Sequence, residues 1–519
     1  SNGEEALKII KEKGIDILLI IRDYGVKPEF PDDIIEEAEK LSLDISDEEI
    51  AKRKDLRDQI TFTIDPETAK DFDDALSIRK LDNGMFRLGV HIADVAHYVR
   101  PGSLVDEEAF KRATSIYPVD RVIPMLPEHL SNKLCSLRPE EDRLTMSVFM
   151  DIDDQGKVHH SEFYNSVIHS RFRLNYNEVQ SIFDHSAPWL SAQYSDITEP
   201  LMQLKKLSEI LIGMRDRKGA LDLDVGETEV IFDSQGRVID LTRHSRFASH
   251  RLVEQCMILA NEAVASKMSR VHAPSLYRIH EPPSQDKLHS LVPFLEGFGI
   301  RLPRKRNITS QRLQKALDQT ERLGDAGPIV RKVILRAMMR AKYSPENLGH
   351  YGLGSSCYTH FTSPIRRYPD LVVHRILKEV IAGNHKDPSR VHEWEERLPA
   401  QAEHCSSQER VAQEIEYEAV YLLGLEFMRQ FLGEEFKGII SGVTGFGMFV
   451  ELEPYPIEGM IPIAKIGKEY FEYDEKTLSL VGKRSGRRFR IADRVVVSLD
   501  HINIAKREMD LGLVRKLKK

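Results

Sequence analysis

Cysteine is scarce in this chain: Cys135, Cys256, Cys357 and Cys405 are the four in 519 residues. They lie far apart and form no C-x-x-C pair, so neither a finger-type zinc site nor a disulfide framework is indicated, and reduced thiols of a cytoplasmic protein are expected. Long apolar runs are missing as well. The first aliphatic cluster, Ile15–Ile21, is interrupted by Asp16 and followed by Arg22 and Asp23, far short of the ~20 residues a membrane-crossing helix needs. No signal-peptide pattern and no low-complexity segment is visible, which argues against a membrane partner. The chain opens Ser1-Asn2-Gly3 without Met, and the expectation is that domains upstream of it have been removed.

An excess of positive charge is also lacking. The 74 Lys and Arg against 82 Asp and Glu give a net charge of −8, awkward for any partner whose phosphates must be neutralised. Local basic runs offset this at Arg301–Arg306, Lys483–Arg490 and Arg515–Lys519, although each run alone reads as a solvated face. The length exceeds what one ordinary core supports, so two or three domains are expected.

What is present in unusual density is acid. Thr61–Ile78, TFTIDPETAKDFDDALSI, places Asp65, Asp71, Asp73 and Asp74 within ten residues. Thr61–Ile64 reads as a strand, Asp65-Pro66 ends it, and Ala75–Ile78 resumes it, which puts the carboxylates on the connecting loop. A solvated acidic turn is one reading. An EF-hand calcium loop fits neither the spacing nor the flanks. The alternative is a magnesium site, because hard divalent ions take carboxylate and phosphate oxygens and a pair of ions ~4 Å apart needs about this many carboxylates.

Along the chain, helical patterns at Glu4–Lys13, Ile15–Tyr24 and Pro31–Leu41 suggest a connector over residues 1–58. Strands are expected for Met85–Val99, Leu144–Met150 and Lys157–Arg173. Apolar stripes of helical period follow at Ser249–Met268, Gln311–Leu323, Val330–Tyr343, Tyr368–Ile381 and Trp394–Phe431. Strands first and helices after describe an α+β body over 59–432. Residues 433–515 then read as five strands with Gly-rich turns, similar to an S1-type OB-fold barrel, before a basic tail at 516–519. On such a barrel Phe446 and Phe449 are expected to be exposed stacking surfaces, with Lys437 steering phosphates, while Phe436 is expected in the core.

The strings DPETAKDFDDA, HIADVAHYV, ATSIYPVDRVIPMLPE, SNKLCSLRPEEDRLTMS, RIHEPP and YTHFTSPIRRYPDLVVHR resemble, in this order, the ribonuclease II/ribonuclease R family. The resemblance implies a hydrolytic, magnesium-dependent exoribonuclease that works from the RNA 3′ end and releases 5′-monophosphates. It implies that Asp65, Asp71 and Asp74 hold one or two Mg2+ ions and that Asp73 is tied most closely to the chemical step. By the same route Tyr117 stacks on the 3′-terminal base, Arg366 contacts phosphate with Arg367 beside it, and Glu416 lies at the scissile end. Relatives commonly carry arginines where this chain has Val411 and Tyr417. In ribonuclease R-like proteins two cold-shock-type barrels precede the connector, and no such barrels precede it here.

His91, His97, His280 and His374 are read as packed or hydrogen-bonded, since no zinc-ligand spacing occurs, with His360, beside the Arg366 loop, as the exception. Expected partners are single-stranded RNA and RNA with a 3′ overhang, with the ribosome as a further candidate, bound by a monomer. Three rivals stay open: a catalytically silent RNA-binding or ribosome-associated factor, a small-molecule phosphohydrolase, and a ribonuclease II-like enzyme stopped by duplexes.

Overall fold

The computed structural model describes residues 15–119, 121–223, 225–243, 246–304 and 307–517. The expected helix Glu4–Lys13, Lys305 and Arg306 of the first basic run, and Lys518 and Lys519 of the last lie outside the described residues.

The larger body is built on a seven-stranded mixed sheet. Its strands are β1 (Lys54–Asp55), β2 (Phe62–Asp65), β3 (Asp74–Lys80), β4 (Phe86–Ala93), β5 (Asp142–Ile152), β6 (Val158–His169) and β7 (Phe172–Asn175), in the order β1-β6-β5-β4-β3-β2-β7. The two outer pairs, β1–β6 and β2–β7, are parallel and the inner ladders antiparallel. Consecutive residues of β4 and β5 are buried on both faces, which is why these strands read as apolar runs instead of alternating. Helices Ser195–Lys218, Ala248–Arg270 and Tyr368–Ala382 lie against β3, β4, β5 and β6.

Several boundaries differ from the sequence reading. The strand expected through Val99 stops at Ala93. Asp94 turns inward to Arg53 and Lys378, at 2.8 and 2.6 Å, and Val95–Tyr98 coil into one helical turn. Helix Ser195–Lys218 and the hairpin β8 (Thr228–Phe232) with β9 (Val238–Arg243) were not expected. Gly219 ends that helix at φ +80°, a left-handed cap that suits glycine. The helix expected at Val330–Tyr343 runs Gly327–Arg336 instead, because β11 (Lys342–Ser344) pairs with β10 (Tyr277–Ile279). The helix expected at Gln311–Leu323 spans Ser310–Thr320 and tightens into a 3-10 segment, and the last long helix starts earlier, at Pro388, and ends at Met428.

Residues β12 (Glu435–Thr444), β13 (Gly447–Glu453), β14 (Glu458–Pro462), β18 (Arg494–Asn503) and β19 (Glu508–Lys516) close a five-stranded barrel, with the small sheet β15 (Phe471–Asp474), β16 (Ser479–Gly482) and β17 (Arg488–Arg490) inserted before β18. The Lys483–Arg490 basic run lies on this insertion. Gly447 is required at the β12–β13 turn, since a Cβ there would sit 2.4 Å from the Ile461 carbonyl oxygen. The barrel shares one apolar core with the body: Ile440, Val443 and Val450 join Leu288, Val292, Val333, Ile334 and Leu425. The connector is packed too, with Ile17, Ile20 and Ile21 against Ile415, Ala419 and Leu422 of the Pro388–Met428 helix. Among the described residues no helix is long and apolar enough to cross a membrane.

Candidate active site

The acidic loop is held from three sides. Asp65 is the last residue of β2 and Asp74 the first of β3, so only Asp71 and Asp73 sit on the loop proper, a correction to the reading that placed all four there. Ser136 accepts from the Phe72 amide at 3.0 Å and donates to the Lys70 carbonyl at 2.7 Å. Arg173 donates to the carbonyls of Pro66 and Glu67 at 2.8 and 2.6 Å while its guanidinium lies 5.5 Å from the Phe72 ring centroid. The turn is therefore fixed before anything binds.

A second segment closes over the acids. The amide of Ile365 donates to Asp73 Oδ1 at 2.9 Å, and Arg366 Nε stands 3.7 Å from Asp73 Oδ2. Ser363 holds the Arg366 guanidinium at 3.0 Å. Asp370, in the first turn of Tyr368–Ala382, takes the Ser363 amide and the Arg367 guanidinium, each at 2.8 Å. The adjacent arginines thus diverge: Arg366 is exposed, and Arg367 is turned inward onto a fully buried carboxylate.

Tyr117 arrives on a third segment. Thr114 bridges to Arg367, and the Ser115 amide donates to the Arg366 carbonyl at 2.9 Å. The Tyr117 hydroxyl then lies 3.5 Å from Asp71 Oδ2, while its backbone amide donates to Glu416 Oε1 at 2.8 Å. The four acids, Arg366, Tyr117 and Glu416 are consequently linked in one place, although they come from four parts of the chain.

Electrostatically the acids are under stress. Burial raises the carboxyl pKa of Asp65, Asp71, Asp73 and Asp74, and Asp74 is pushed up to about 6; Arg366 opposes this for Asp71, Asp73 and Asp74. Asp65 Oδ2 and Asp73 Oδ2 are buried with no hydrogen-bond partner, an expensive arrangement for an oxygen acceptor unless something else meets it. A hard cation fits that donor set. Among the described residues no three His, Cys, Asp or Glu side chains converge into a ready-made ligand cluster.

The five histidines singled out in the sequence are each engaged by the protein. His91 sits between Ser77 and Ser147 at 2.9 and 2.7 Å, His97 meets Arg53, His280 bonds Met339 and Gly352, and His374 bonds the Phe361 carbonyl. His360, the expected exception, bonds the Tyr343 hydroxyl at 2.8 Å and is kept neutral by burial beside Arg367 and Arg278. On the barrel, Phe446 is exposed, Phe449 half-buried with its ring edge-on to Phe446, Lys437 exposed and Phe436 buried. Arg173, Ser136 and Tyr176 were not anticipated. Tyr176 stacks on His250 at 4.1 Å, and Asp74 and Asp65 add to burial in holding its hydroxyl neutral. Asn175 and Glu178 form a capping box around it, a pattern visible in the string NYNE.

Two family models match separate parts of the chain. The RNB domain family matches residues 53–383 and the S1 RNA binding domain family residues 429–513. Ribonuclease R of Aquifex aeolicus is 42% identical over 515 residues, 99% of this chain and 72% of that protein. Ribonuclease R 1 of Lactococcus lactis is 40% identical over 94% of this chain, which spans 59% of that relative's length. Mycoplasma genitalium RNase R, solved in complex with ribose methylated single-stranded RNA, superposes with a TM-score of 0.90 at 31% identity, covering 96% of this chain and 78% of that one. Its complex with double-stranded RNA gives 0.84 at 30% identity over 96% and 83%. With an RNB body whose acidic loop, arginine segment and tyrosine strap are all in place, followed by an S1 barrel, the chain belongs to the RNB family of ribonuclease R proteins.

Proposed function

We propose that this chain is a magnesium-dependent 3′-to-5′ exoribonuclease, releasing 5′-nucleoside monophosphates and leaving a short limit oligonucleotide. The observation that carries the proposal is the acid quartet, in which Asp65 and Asp73 are buried and each has one oxygen without a hydrogen bond, facing an exposed guanidinium. Asp65, Asp71 and Asp74, with Asp73, would hold the magnesium; when bound it polarises the terminal phosphodiester and lowers the pKa of coordinated water.

The protein groups divide the remaining work. Arg366 neutralises charge developing on the phosphoryl group, with Ser363 fixing its aim. Tyr117 offers its ring to the terminal base, and its hydroxyl stays neutral beside Asp71 because burial raises its pKa. Glu416 fixes the Tyr117 backbone and faces the end of the RNA. Phe446, Phe449 and Lys437 give the barrel a stacking and phosphate-steering surface for the incoming strand. Contacts to phosphates and 2′-hydroxyls predict weak sequence preference and poor use of DNA.

The deciding assay is a 5′-labelled duplex with a 3′ overhang, incubated with and without Mg2+. Stepwise shortening of the labelled strand into the duplex is expected only with Mg2+. Arrest at the junction would restrict the enzyme to single strands, and no shortening at all would leave an RNA-binding factor.

A further inference from the structure

The Pro388–Met428 helix points Glu416 at Tyr117 and turns the next side chain, Tyr417, outward. Tyr417 is 67% exposed, so its ring gains little from folding. One turn on, Tyr421 lies nearly parallel to it, 3° between planes with centroids 6.3 Å apart. Tyr421 is anchored, its hydroxyl donating to the Glu458 carbonyl of β14 at 2.9 Å. The helix therefore presents an aromatic pair whose inner ring is fixed on the barrel and whose outer ring is open.

Both rings line a cavity of about 670 Å³ together with Glu416, Arg336 and Lys332. Arg336, the last residue of its helix, is exposed and forms no ion pair among the described residues. It also lines a second cavity, of about 470 Å³, with Lys287 of the body and Thr444 and Phe449 of the barrel. Of the acids lining the first cavity, Glu451 pairs with Lys332 at 2.8 Å, Glu458 accepts from Ser441 and Glu416 accepts from the Tyr117 amide, while Glu227 is exposed at its edge. The result is a track running Phe449, Arg336, Tyr417, Glu416, Tyr117, in which three rings are separated by one exposed cation and then by Glu416, and which ends at the acid quartet.

We propose that single-stranded RNA upstream of the 3′ end lies along this track, with a phosphate on Arg336 and one base stacked on Tyr417. The proposal rests on the exonuclease reading for the direction of the strand. Stacking on an aromatic side chain is tolerant of base identity, and a free guanidinium suits phosphate, so the occupant is a nucleotide chain of any sequence.

The test measures equilibrium binding in EDTA, where no cleavage occurs, using fluorescein-labelled oligoadenylates of three to twelve nucleotides. For the wild type, affinity should step up at the length that first reaches Tyr417. In Tyr417→Ala that step should vanish, weakening the twelve-mer about tenfold, while Tyr417→Phe keeps it. One abasic position should cost the wild type the same factor and cost Tyr417→Ala nothing, which a merely structural role would not produce. Arg336→Ala should weaken the twelve-mer and reduce the salt slope by about one. An unchanged length profile in Tyr417→Ala overturns the inference. If the wild type binds as described yet releases no nucleotide with Mg2+, the exonuclease reading fails and this one stands; if it degrades RNA and Tyr417→Ala binds identically, the reverse holds.

Discussion

Ile365 and Asp73 are 292 residues apart in sequence, yet the backbone amide of the first donates to Oδ1 of the second at 2.9 Å. Asp73 is thus both an acid of the site and the anchor of the segment that carries Arg366, and substitutions can separate these tasks. Asp73→Asn keeps an acceptor for the amide and removes the charge. Activity should fall at least about 10²-fold while the melting temperature holds or rises, since a buried, poorly compensated carboxylate is removed. Asp73→Ala strands a buried amide and should be about 1–3 kcal/mol less stable than the Asn variant. Thermal melts of both alongside nucleotide release decide it.

The two adjacent arginines should fail differently. Arg366 is exposed and held by Ser363 and by the field of Asp71, Asp73 and Asp74, so Arg366→Lys, which keeps the charge, should leave stability alone. It should lower turnover at least about tenfold, because an ammonium cannot reproduce a bidentate phosphate contact; a loss of threefold or less would remove it from the phosphate. Arg367→Ala leaves the fully buried Asp370 without its cation, which should cost about 3–5 kcal/mol, read as a lowered denaturation midpoint.

Much of this was legible in the sequence, for identifiable reasons. Asp65 through Asp74 lie close together in the chain, and the strand pattern around them is strong, so their clustering needed no tertiary information. Tyr117, Arg366 and Glu416 could be named only through motif resemblance, because the contacts that gather them are backbone bonds between distant segments. Arg173 was passed over because a lone arginine in a strand gives no local sign that it clamps a loop 107 residues away. Helix Ser195–Lys218 is a different kind of miss. Its buried Ile197, Leu201, Leu204, Leu207 and Leu211 repeat at helical spacing, a signal available in the chain itself.

Proton binding by the acid quartet gives a pH prediction. Burial raises all four pKa values, Asp74 to about 6, against about 3.9 for an unfolded aspartate. Between about pH 4 and 6 the folded protein therefore holds more protons than the unfolded chain. Asp74's contribution to stability falls as pH rises through that window and stays lost above it. Magnesium requires the ionised form and should restore the loss, so it should raise the melting temperature more at pH 8 than at pH 5. Asp94, held charged by Lys378 and Arg53, has the opposite sign and loses stability in acid. The comparison is therefore the wild type minus Asp74→Asn at each pH without metal. A difference that does not change from pH 4 to 7 would refute the proposed linkage.

Tyr117 allows the ring to be tested apart from its backbone. Its amide, not its side chain, donates to Glu416, and Ser115 and Thr114 hold the strap through main-chain contacts to the Arg366 segment. Tyr117→Ala should leave the positions of Glu416 and Arg366 intact. What it removes is the stacking surface over the terminal base, worth about 1–3 kcal/mol, and the 3.5 Å approach of the hydroxyl to Asp71. Short oligonucleotides depend most on that surface, since they reach few other contacts. The variant should therefore release its product early, shifting the limit oligonucleotide to a longer length on a sequencing gel, while the Mg2+ concentration for half-maximal rate changes less than about twofold. Tyr117→Phe should restore the original length, because the ring stacks without its hydroxyl. An unchanged product ladder in Tyr117→Ala would place the terminal base elsewhere.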